Sequence, residues 1–230
     1  KWIADFRDPW TGIEYFDQLP LLSSKKRRHQ ELEKKVLSES DLVLSVSPSW
    51  ASQFKKLGAR KTSVLTNGFD LEDYSIHNKN SLKEEFKIGH FGLYNKLRDH
   101  LFFWDTLDKI LKENISFKNS LKLLFSGEVH DSFLSNIESY NLNDKLDYVK
   151  YLPHFETIRN MERCDLLLVT QGMTKSVLGR LPAKLFEYIG ARRPILAIGQ
   201  KGSDLEKIIS NISYGWFVDF NNSELLYQSI

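Results

Sequence analysis

The sequence is poor in residues that cross-link a chain or bind metal. It has one cysteine, Cys164, which excludes an internal disulfide and a cluster of cysteine metal ligands. Cys164 precedes an apolar run, so we expect it to lie in the core and not to act as a nucleophile. The six histidines show no H-x-x-x-H or similar spacing, and the sequence therefore predicts no metal site. This cysteine usage fits a cytoplasmic protein.

Long apolar runs and an excess of one charge are also absent. No apolar run approaches the roughly 20 residues that a membrane-spanning helix needs. The net charge is only +2, so no global attraction to nucleic acid is expected. Neither a G-x-S-x-G nor a Walker motif occurs. The remaining composition, 41% hydrophobic and 27% charged, is typical of a globular chain, and 230 residues allow one large or two small domains.

Strand and helix patterns alternate along most of the chain. Short apolar runs typical of buried strands occur at residues 2–6, 41–46, 61–66, 86–91, 121–125, 146–151, 166–170, 195–198 and 216–220. Amphipathic helical patterns separate these runs. The alternation predicts an α/β fold with parallel strands covered by helices on both faces. The last six strands are enough for a complete Rossmann-like domain.

A domain boundary is predicted where this alternation lapses. Residues 71–84 lack a clear apolar period and include the polar run H-N-K-N-S at 77–81, which is typical of a linker. We therefore divide the chain into residues 1–76 and 77–230. Lys1 is not an initiator methionine and is followed directly by a predicted strand, so we expect the first half of the N-terminal domain to be missing.

The most informative stretch is G-R-L-P-A-K-L-F-E-Y-I-G-A-R-R-P-I-L-A-I-G at residues 179–199. Its loop runs into Pro182, which suits the first turn of a helix. Amide groups and the positive end of the helix dipole at such a start can bind a phosphate, and Lys184 adds a full positive charge. Glu187, three residues later, could accept hydrogen bonds from a ribose diol. The alternative is an amphipathic helix on which Lys184 and Glu187 pair at the surface.

Two further loops follow predicted strands at the same edge of the sheet. After residues 86–91, Gly92 allows a close turn, and Lys96 and Arg98 supply positive charge for phosphate oxygens. The alternative is a solvated basic helix start. The other loop follows residues 146–151 and contains Leu152, Pro153 and His154. The alternative for His154 is that it merely caps the next helix.

Four ordered segments carry a resemblance to a known family. They are W-I-A-D-F-R-D-P-W at 2–10, N-G-F-D at 67–70, G-L-Y-N-K-L-R-D at 92–99 and P-A-K-L-F-E-Y at 182–188. Together they resemble glycosyltransferase family 4, whose members have the two-domain GT-B fold. The resemblance implies the second half of an N-terminal, acceptor-side Rossmann-like domain over residues 1–76. Residues 77–230 would then form a complete donor-binding Rossmann-like domain with a parallel sheet.

The resemblance also implies roles for individual residues. It assigns the donor diphosphate to Gly92, Lys96, Arg98, Gly179, Arg180, Leu181 and Lys184. It assigns the ribose to Glu187 and places the nucleobase near Leu152 and Pro153. Asp5 and Asp8 would be the catalytic candidates, orienting the acceptor or the transferred sugar. The alternative for their loop is structural, with Arg7 paired to one of the two aspartates.

The implied activity is transfer of a hexosyl group from a UDP- or GDP-sugar to a glycan or lipid-linked acceptor, with retention of configuration and without a metal or other cofactor. Many family members carry a second Glu eight residues before the ribose-binding one, and here that position is Gly179. The donor sugar is therefore not predicted. The alternatives are a nucleotide-sugar 2-epimerase of GT-B fold and a non-catalytic partner subunit. We expect a chain without its first half-domain to bind nucleotide, and its turnover alone is an open question.

A basic run, Lys25, Lys26, Arg27 and Arg28, lies at a predicted helix start. Positive charge there opposes the helix dipole at a cost of roughly 0.3–1 kcal/mol per exposed charge. Contact with anionic lipid headgroups would explain this unfavourable charge, and would place a cytoplasmic enzyme at the inner membrane face. The alternative is a solvated basic patch.

Overall fold

A computed structural model describes residues 1–74, 85–174 and 176–230. The chain divides into two compact units. The first comprises Lys1–Asn67, Thr174–Leu181 and Gly202–Lys207, and the second comprises Gly68–Met173, Pro182–Lys201 and Ile208–Ile230. The predicted domain boundary between residues 76 and 77, and the linker at 77–81, lie outside the described residues. Each unit is described separately below.

The first unit contains a small parallel sheet with helices. Its strands, in spatial order, are β1 (Ile3–Phe6), β2 (Leu42–Ser45) and β3 (Thr62–Val64), and its long helices are α1 (Ser23–Glu39) and α2 (Pro48–Lys56). Pro48 opens α2, and the Ser47 side chain accepts a hydrogen bond from the Trp50 amide at 3.4 Å, which explains where this helix begins. Trp50 and Phe54 turn inward and pack on β2, forming this unit's core.

The second unit contains a six-stranded parallel sheet. Its strands are β4 (Phe86–Phe91), β5 (Leu121–Ser126), β6 (Leu146–Val149), β7 (Leu166–Thr170), β8 (Ile195–Gly199) and β9 (Gly215–Asp219). The spatial order among the described strands is β6-β5-β4-β7-β8-β9. The chain adds strands outward from β4 on one side and outward from β7 on the other. This switch between β4 and β7 is the doubly wound Rossmann pattern. Ligands bind such sheets beyond the carboxyl ends of the strands at this switch point.

Helices connect the parallel strands. They are α3 (Leu101–Glu113), α4 (Ile115–Ser120), α5 (Asp131–Ser139), α6 (His154–Arg163), α7 (Ala183–Ala191), α8 (Asp204–Ile209) and α9 (Ser223–Ser229). Within the described ranges, no helix is both long and apolar enough to cross a membrane.

The predicted strands are all present, with small differences at their ends. The strand predicted over 146–151 ends at Val149, because Val149 pairs with Ser126 and β5, its partner, ends there. The short helix α4 was not predicted. It begins because the Asn114 side chain accepts a hydrogen bond from the Phe117 amide at 2.9 Å, which is a cap that hydrophobic periodicity does not reveal.

An aromatic core fixes the carboxyl ends of β4 and β5. Tyr94, Trp104 and Phe133 are fully buried. The ring of Phe133 meets those of Tyr94 and Trp104 edge to face, and it lies 4.5 Å from Phe125 of β5 between ring centroids. Burying side chains of this size stabilises the unit by roughly 1.5–3 kcal/mol each. The loops that leave these two strands therefore start from a rigid base.

Candidate functional site

A cavity of about 540 Å³ opens in the second unit at the carboxyl edge of its sheet. This volume lies within the usual range of small-molecule sites. Its lining comes from the ends of three strands and from the starts of α6 and α7: Phe91, Gly92, Arg98, Ser126, Gly127, Lys150, Tyr151, Leu152, His154, Thr157, Met161, Pro182, Ala183, Lys184 and Glu187. Of the predicted site residues, Gly92, Arg98, Leu152, Lys184 and Glu187 line it together.

Two glycines form the floor of this cavity. Gly92 has φ +102° and Gly127 has φ +122°, both in the region that side-chain-bearing residues avoid. The Gly92 amide donates to the Ser126 carbonyl at 2.6 Å, and a Cβ on Gly127 would meet the Gly92 carbonyl oxygen at 2.5 Å. The two loops thus lie backbone against backbone. A Cβ on Gly92 would also lie 3.2 Å from Lys184 Nζ, so Gly92 leaves room for that ammonium group.

The N-terminus of α7 faces the cavity. Pro182 precedes the helix, and its carbonyl oxygen accepts a hydrogen bond from the Leu185 amide at 3.0 Å. No side chain of the described chain caps this end. The first turn therefore presents the positive end of the helix dipole to the cavity, as an anion site requires.

Lys184 extends into the site from the first turn of α7. Its Nζ lies 2.9 Å from Nε2 of the buried His90, whose Nδ1 lies 3.0 Å from the Leu168 carbonyl oxygen. Burial, and then the neighbouring Arg98 charge, hold the pKa of Lys184 well below its usual value, while Glu187 acts in the opposite direction. Burial, and then the Lys184 charge, likewise hold the pKa of His90 well below its usual range. Both effects favour the neutral form of the imidazole.

Arg98 supplies the second cation of the cavity. It ends the 3-10 turn Lys96–Arg98, and its Nη1 donates to the Leu93 carbonyl at 2.9 Å. Lys96 lies on the same turn but is exposed and outside the cavity lining. The structure thus brings Arg98 and Lys184 together at one cavity and leaves Lys96 at the surface.

Glu187 lies one turn further along α7 and is half-buried. Its backbone carbonyl accepts a hydrogen bond from the Tyr74 hydroxyl at 2.9 Å, which ties the segment after Gly68 to this helix. The rings of Phe69 and Tyr74 lie where a Cβ on Gly190 would be, at 2.7 and 2.5 Å. This packing fixes α7, so the carboxylate of Glu187 is held at the cavity by rigid backbone.

The far end of the cavity is formed by residues that follow β6. Leu152 lines it, whereas Pro153 is the residue before α6 and lies outside the lining. His154 is the first residue of α6 instead of its cap. Its Nε2 lies 3.0 Å from Asp73 Oδ2, and this hydrogen bond raises its pKa. Sequence reasoning did not select Ser126, Lys150, Tyr151 and Thr157, although their positions at strand ends and in the first turn of α6 could have indicated them.

The predicted phosphate residues before α7 belong to the first unit. Arg180 forms an ion pair with Glu14 at 3.3 Å, with both side chains only 14% exposed, and its amide donates to the Val177 carbonyl at 3.1 Å. Gly179 is buried against the ring of Trp50, whose Nε1 donates to the Ser176 carbonyl at 3.2 Å. A Cβ on Gly179 would overlap that ring. This contact explains why no carboxylate side chain occupies the position. Leu181 is buried in the same unit.

The two predicted aspartates lie at the carboxyl end of β1, Asp5 within the strand and Asp8 in the loop that follows it. Asp5 and Asp8 are exposed, and Arg7 forms an ion pair with Asp5 at 4.0 Å and a hydrogen bond with Asn67. Although Asp8 as a whole residue is exposed, its carboxyl group is partly buried, and this raises its pKa against the opposing charge of Arg180.

The same loop is held by a residue that sequence reasoning missed. The buried Glu33 of α1 accepts hydrogen bonds from the Trp10 and Thr11 amides at 3.0 and 3.3 Å. Among the described residues, no group of three or more His, Cys, Asp or Glu side chains is placed to hold a metal ion.

Comparison with protein-family models finds no match. One curated relative, named "Probable glycosyltransferase WbjE", from Pseudomonas aeruginosa, is 30% identical over 88 residues. The match covers 37% of this chain and 22% of the relative.

Solved structures match over almost the whole chain. Sucrose-phosphate synthase from Thermosynechococcus elongatus superimposes with a TM-score of 0.73 at 14% identity, covering 99% of this chain and 57% of that one. WaaG, a glycosyltransferase involved in lipopolysaccharide biosynthesis, gives 0.68 at 15% identity, covering 99% of this chain and 64% of that one. A mutant of S. aureus TarM in complex with fondaparinux, alpha-GlcNAc-glycerol and UDP gives 0.65 at 15% identity, covering 99% of this chain and 42% of that one.

These likenesses confirm the predicted α/β fold of GT-B type. The chain spans about a fifth of the curated relative and about two fifths to two thirds of these three structures.

Proposed function

We propose that this protein is a glycosyltransferase that moves a hexosyl group from a nucleotide-diphosphate sugar to an acceptor in glycan or glycolipid synthesis. The observation that carries the proposal is the convergence of Arg98, Lys184, Glu187 and the N-terminus of α7 on one cavity at the sheet switch point. The curated relative and the structural neighbours support the same class of enzyme. Membership of glycosyltransferase family 4, with its retention of configuration, rests on the four sequence segments.

The chemistry of the cavity supports a nucleotide-diphosphate donor. Arg98 and Lys184, with the positive end of α7, would stabilise the charge that develops on a leaving diphosphate, which in many other enzymes is the task of a metal ion. Glu187 would accept hydrogen bonds from the ribose hydroxyls, and the nucleobase would lie toward Leu152. The neighbour that contains UDP, and a further one from E. coli bound with UDP-2-fluoro glucose, support a UDP-sugar in preference to a GDP-sugar.

The acceptor is proposed to be a glycan or a lipid-linked sugar. Asp5 and Asp8, at the end of β1, are the candidates for orienting it, and the raised pKa of Asp8 suits a carboxylate that exchanges a proton during transfer.

The cationic start of α1 supports peripheral contact with the cytoplasmic face of a membrane. Lys25, Lys26, Arg27 and Arg28 lie in its first two turns, where the first turn has no acidic residue. Nearby, Leu22 is 74% exposed and Leu19 is 37% exposed. Apolar and cationic side chains in one exposed stretch are the combination that lipid surfaces attract.

Calorimetric titration of UDP, GDP and ADP against the protein tests the donor site. We expect UDP to bind and Glu187→Ala to weaken it by roughly 10-fold, the loss of a hydrogen bond to a charged group. The exposed Glu138→Ala on α5 is the matched control and should bind as the wild type does. If none of the three nucleotides binds the wild type, the donor site is wrong.

A deoxy nucleotide isolates the ribose contact. Wild type should prefer UDP to 2′-deoxy-UDP, and Glu187→Ala should lose that preference. An unchanged preference in Glu187→Ala would remove the ribose role from Glu187. Sugar transfer or donor hydrolysis by the full-length protein would distinguish a glycosyltransferase from a non-catalytic subunit.

A further inference from the structure

We propose that His90 is a positioning residue for the donor diphosphate: as a neutral hydrogen-bond acceptor it orients the Lys184 ammonium without cancelling its charge. The inference rests on the proposed function and deepens it. The sequence pattern did not indicate His90 as a site residue, because it lies within the apolar strand β4.

The hydrogen-bond partners of His90 fix its tautomer. Nδ1 faces the Leu168 carbonyl oxygen at 3.0 Å, and a carbonyl can only accept, so Nδ1 carries the hydrogen. Nε2 then presents its lone pair to Lys184 Nζ at 2.9 Å, and the ammonium donates to it. The backbone of β7 thereby determines which ring nitrogen is available to α7.

The imidazole cannot swing to follow the lysine. It is 1% exposed, it stacks on Phe125 with 5.4 Å between ring centroids and 23° between planes, and it meets Tyr94 edge to face at 4.8 Å. The flexible partner is Lys184, whose long side chain reaches across from another element. The rigid ring therefore sets the position of the ammonium, and the turn at Gly92 bounds it on another side.

A neutral acceptor suits a phosphate-binding lysine better than a carboxylate would. A carboxylate at the position of His90 would orient Lys184 equally well, but it would neutralise the positive charge that attracts a diphosphate. Burial lowers the pKa of both His90 and Lys184, and the negative charge of a bound diphosphate would raise that of Lys184 and favour its ammonium form. Two of the three ammonium hydrogens remain for oxygens of the ligand.

A double-mutant cycle on UDP affinity tests the proposal. Lys184→Met should weaken UDP binding ~10- to 100-fold, as expected for a charge-assisted hydrogen bond, and His90→Phe, which keeps an aromatic ring but has no acceptor, ~3- to 10-fold. His90→Gln can donate to Leu168 and accept from Lys184, and should restore most of the affinity. In the Lys184→Met background, His90→Phe should cause no further loss, because its effect acts through Lys184.

Equal losses from His90→Phe in both backgrounds would overturn the proposal, as would wild-type affinity in His90→Phe. Should wild type bind UDP and Lys184→Met bind it equally well, this inference fails while the nucleotide site stands. Should wild type bind no nucleotide, the proposed function itself fails. Thermal unfolding of each variant accompanies the titrations.

A measurement on the unmodified protein does not depend on variants that fold. Nitrogen-15 NMR of the His90 ring should show the neutral form with hydrogen on Nδ1 and a hydrogen-bonded Nε2. A ring with hydrogen on Nε2, or a doubly protonated ring near neutral pH, would contradict the assignment.

Discussion

The cavity of the second unit and the region around the carboxyl end of β1 in the first unit contain the same kinds of charged residue, with different partners. In the first unit, Arg7 pairs with Asp5 and Arg180 with Glu14. In the cavity, Lys184 donates to a neutral imidazole and Arg98 to a backbone carbonyl. The imidazole beside Lys184 brings no negative charge to cancel that of the ammonium, whereas the ion pairs of the first unit hold its loops in place. The difference supports the proposed anion site in the second unit and a scaffold role for the ion-paired residues of the first.

Asp8 tests whether the first unit contributes to chemistry beyond this scaffold. Asp8→Asn in the full-length protein should lower the rate of sugar transfer ~100-fold, the usual size of a lost acid–base contribution. UDP affinity should not change, because the nucleotide cavity lies wholly among second-unit residues. Steady-state kinetics and calorimetry separate the two effects. A normal transfer rate would assign the loop a structural role only.

Arg98 and Lys96 provide a matched test within one 3-10 turn. Arg98→Met should weaken UDP binding ~10- to 100-fold, because it removes charge-assisted hydrogen bonds to phosphate oxygens. Lys96→Met removes the same charge from the exposed side of the turn and should change affinity less than about 2-fold, since exposed charges are screened. Equal effects in both variants would mean that only the net charge of the turn matters.

Substitution of Gly179 tests how closely the first unit packs around Trp50. Gly179→Ala should destabilise the protein by about 1–3 kcal/mol, because the new Cβ overlaps the buried Trp50 ring. Urea unfolding followed by tryptophan fluorescence measures the loss. Gly68→Ala is the control, since nothing lies within 4 Å of a Cβ there. Similar unfolding midpoints for both variants would contradict the close contact.

The pair of His154 and Asp73 should give the smallest effect. Its hydrogen bond raises the pKa of His154 in the folded protein, so its stabilisation is complete below the unfolded pKa and is lost as the pH rises through the folded one. Both groups are partly exposed, and the contribution should be only about 0.2–1 kcal/mol. NMR titration should place the pKa of His154 above 6.5 in wild type and lower in Asp73→Asn. The same pKa in both would exclude the pair.

Prediction from the sequence succeeded where the evidence was local. Apolar runs and helical spacing located the strands, and Pro182 with Lys184 and Glu187 located the helix that lines the cavity. The strand ends placed Gly92 and Arg98 at the same edge. Prediction from the sequence was incomplete where a feature depends on a single side-chain contact. The helix α4 depends on one Asn114 hydrogen bond, and the alternative in which Lys184 pairs only with Glu187 did not include His90.

Alone, the sequence determined the order of strands and helices and the residue types at their ends, because both follow from periodicity and from which residues can begin a helix. Only the tertiary structure decided which charges meet. His90 and Lys184 are 94 residues apart, Trp50 and Ser176 are 126 apart, and the partner of Arg180 is Glu14. Such contacts depend on how buried faces pack, and packing joins residues without regard to their separation along the chain.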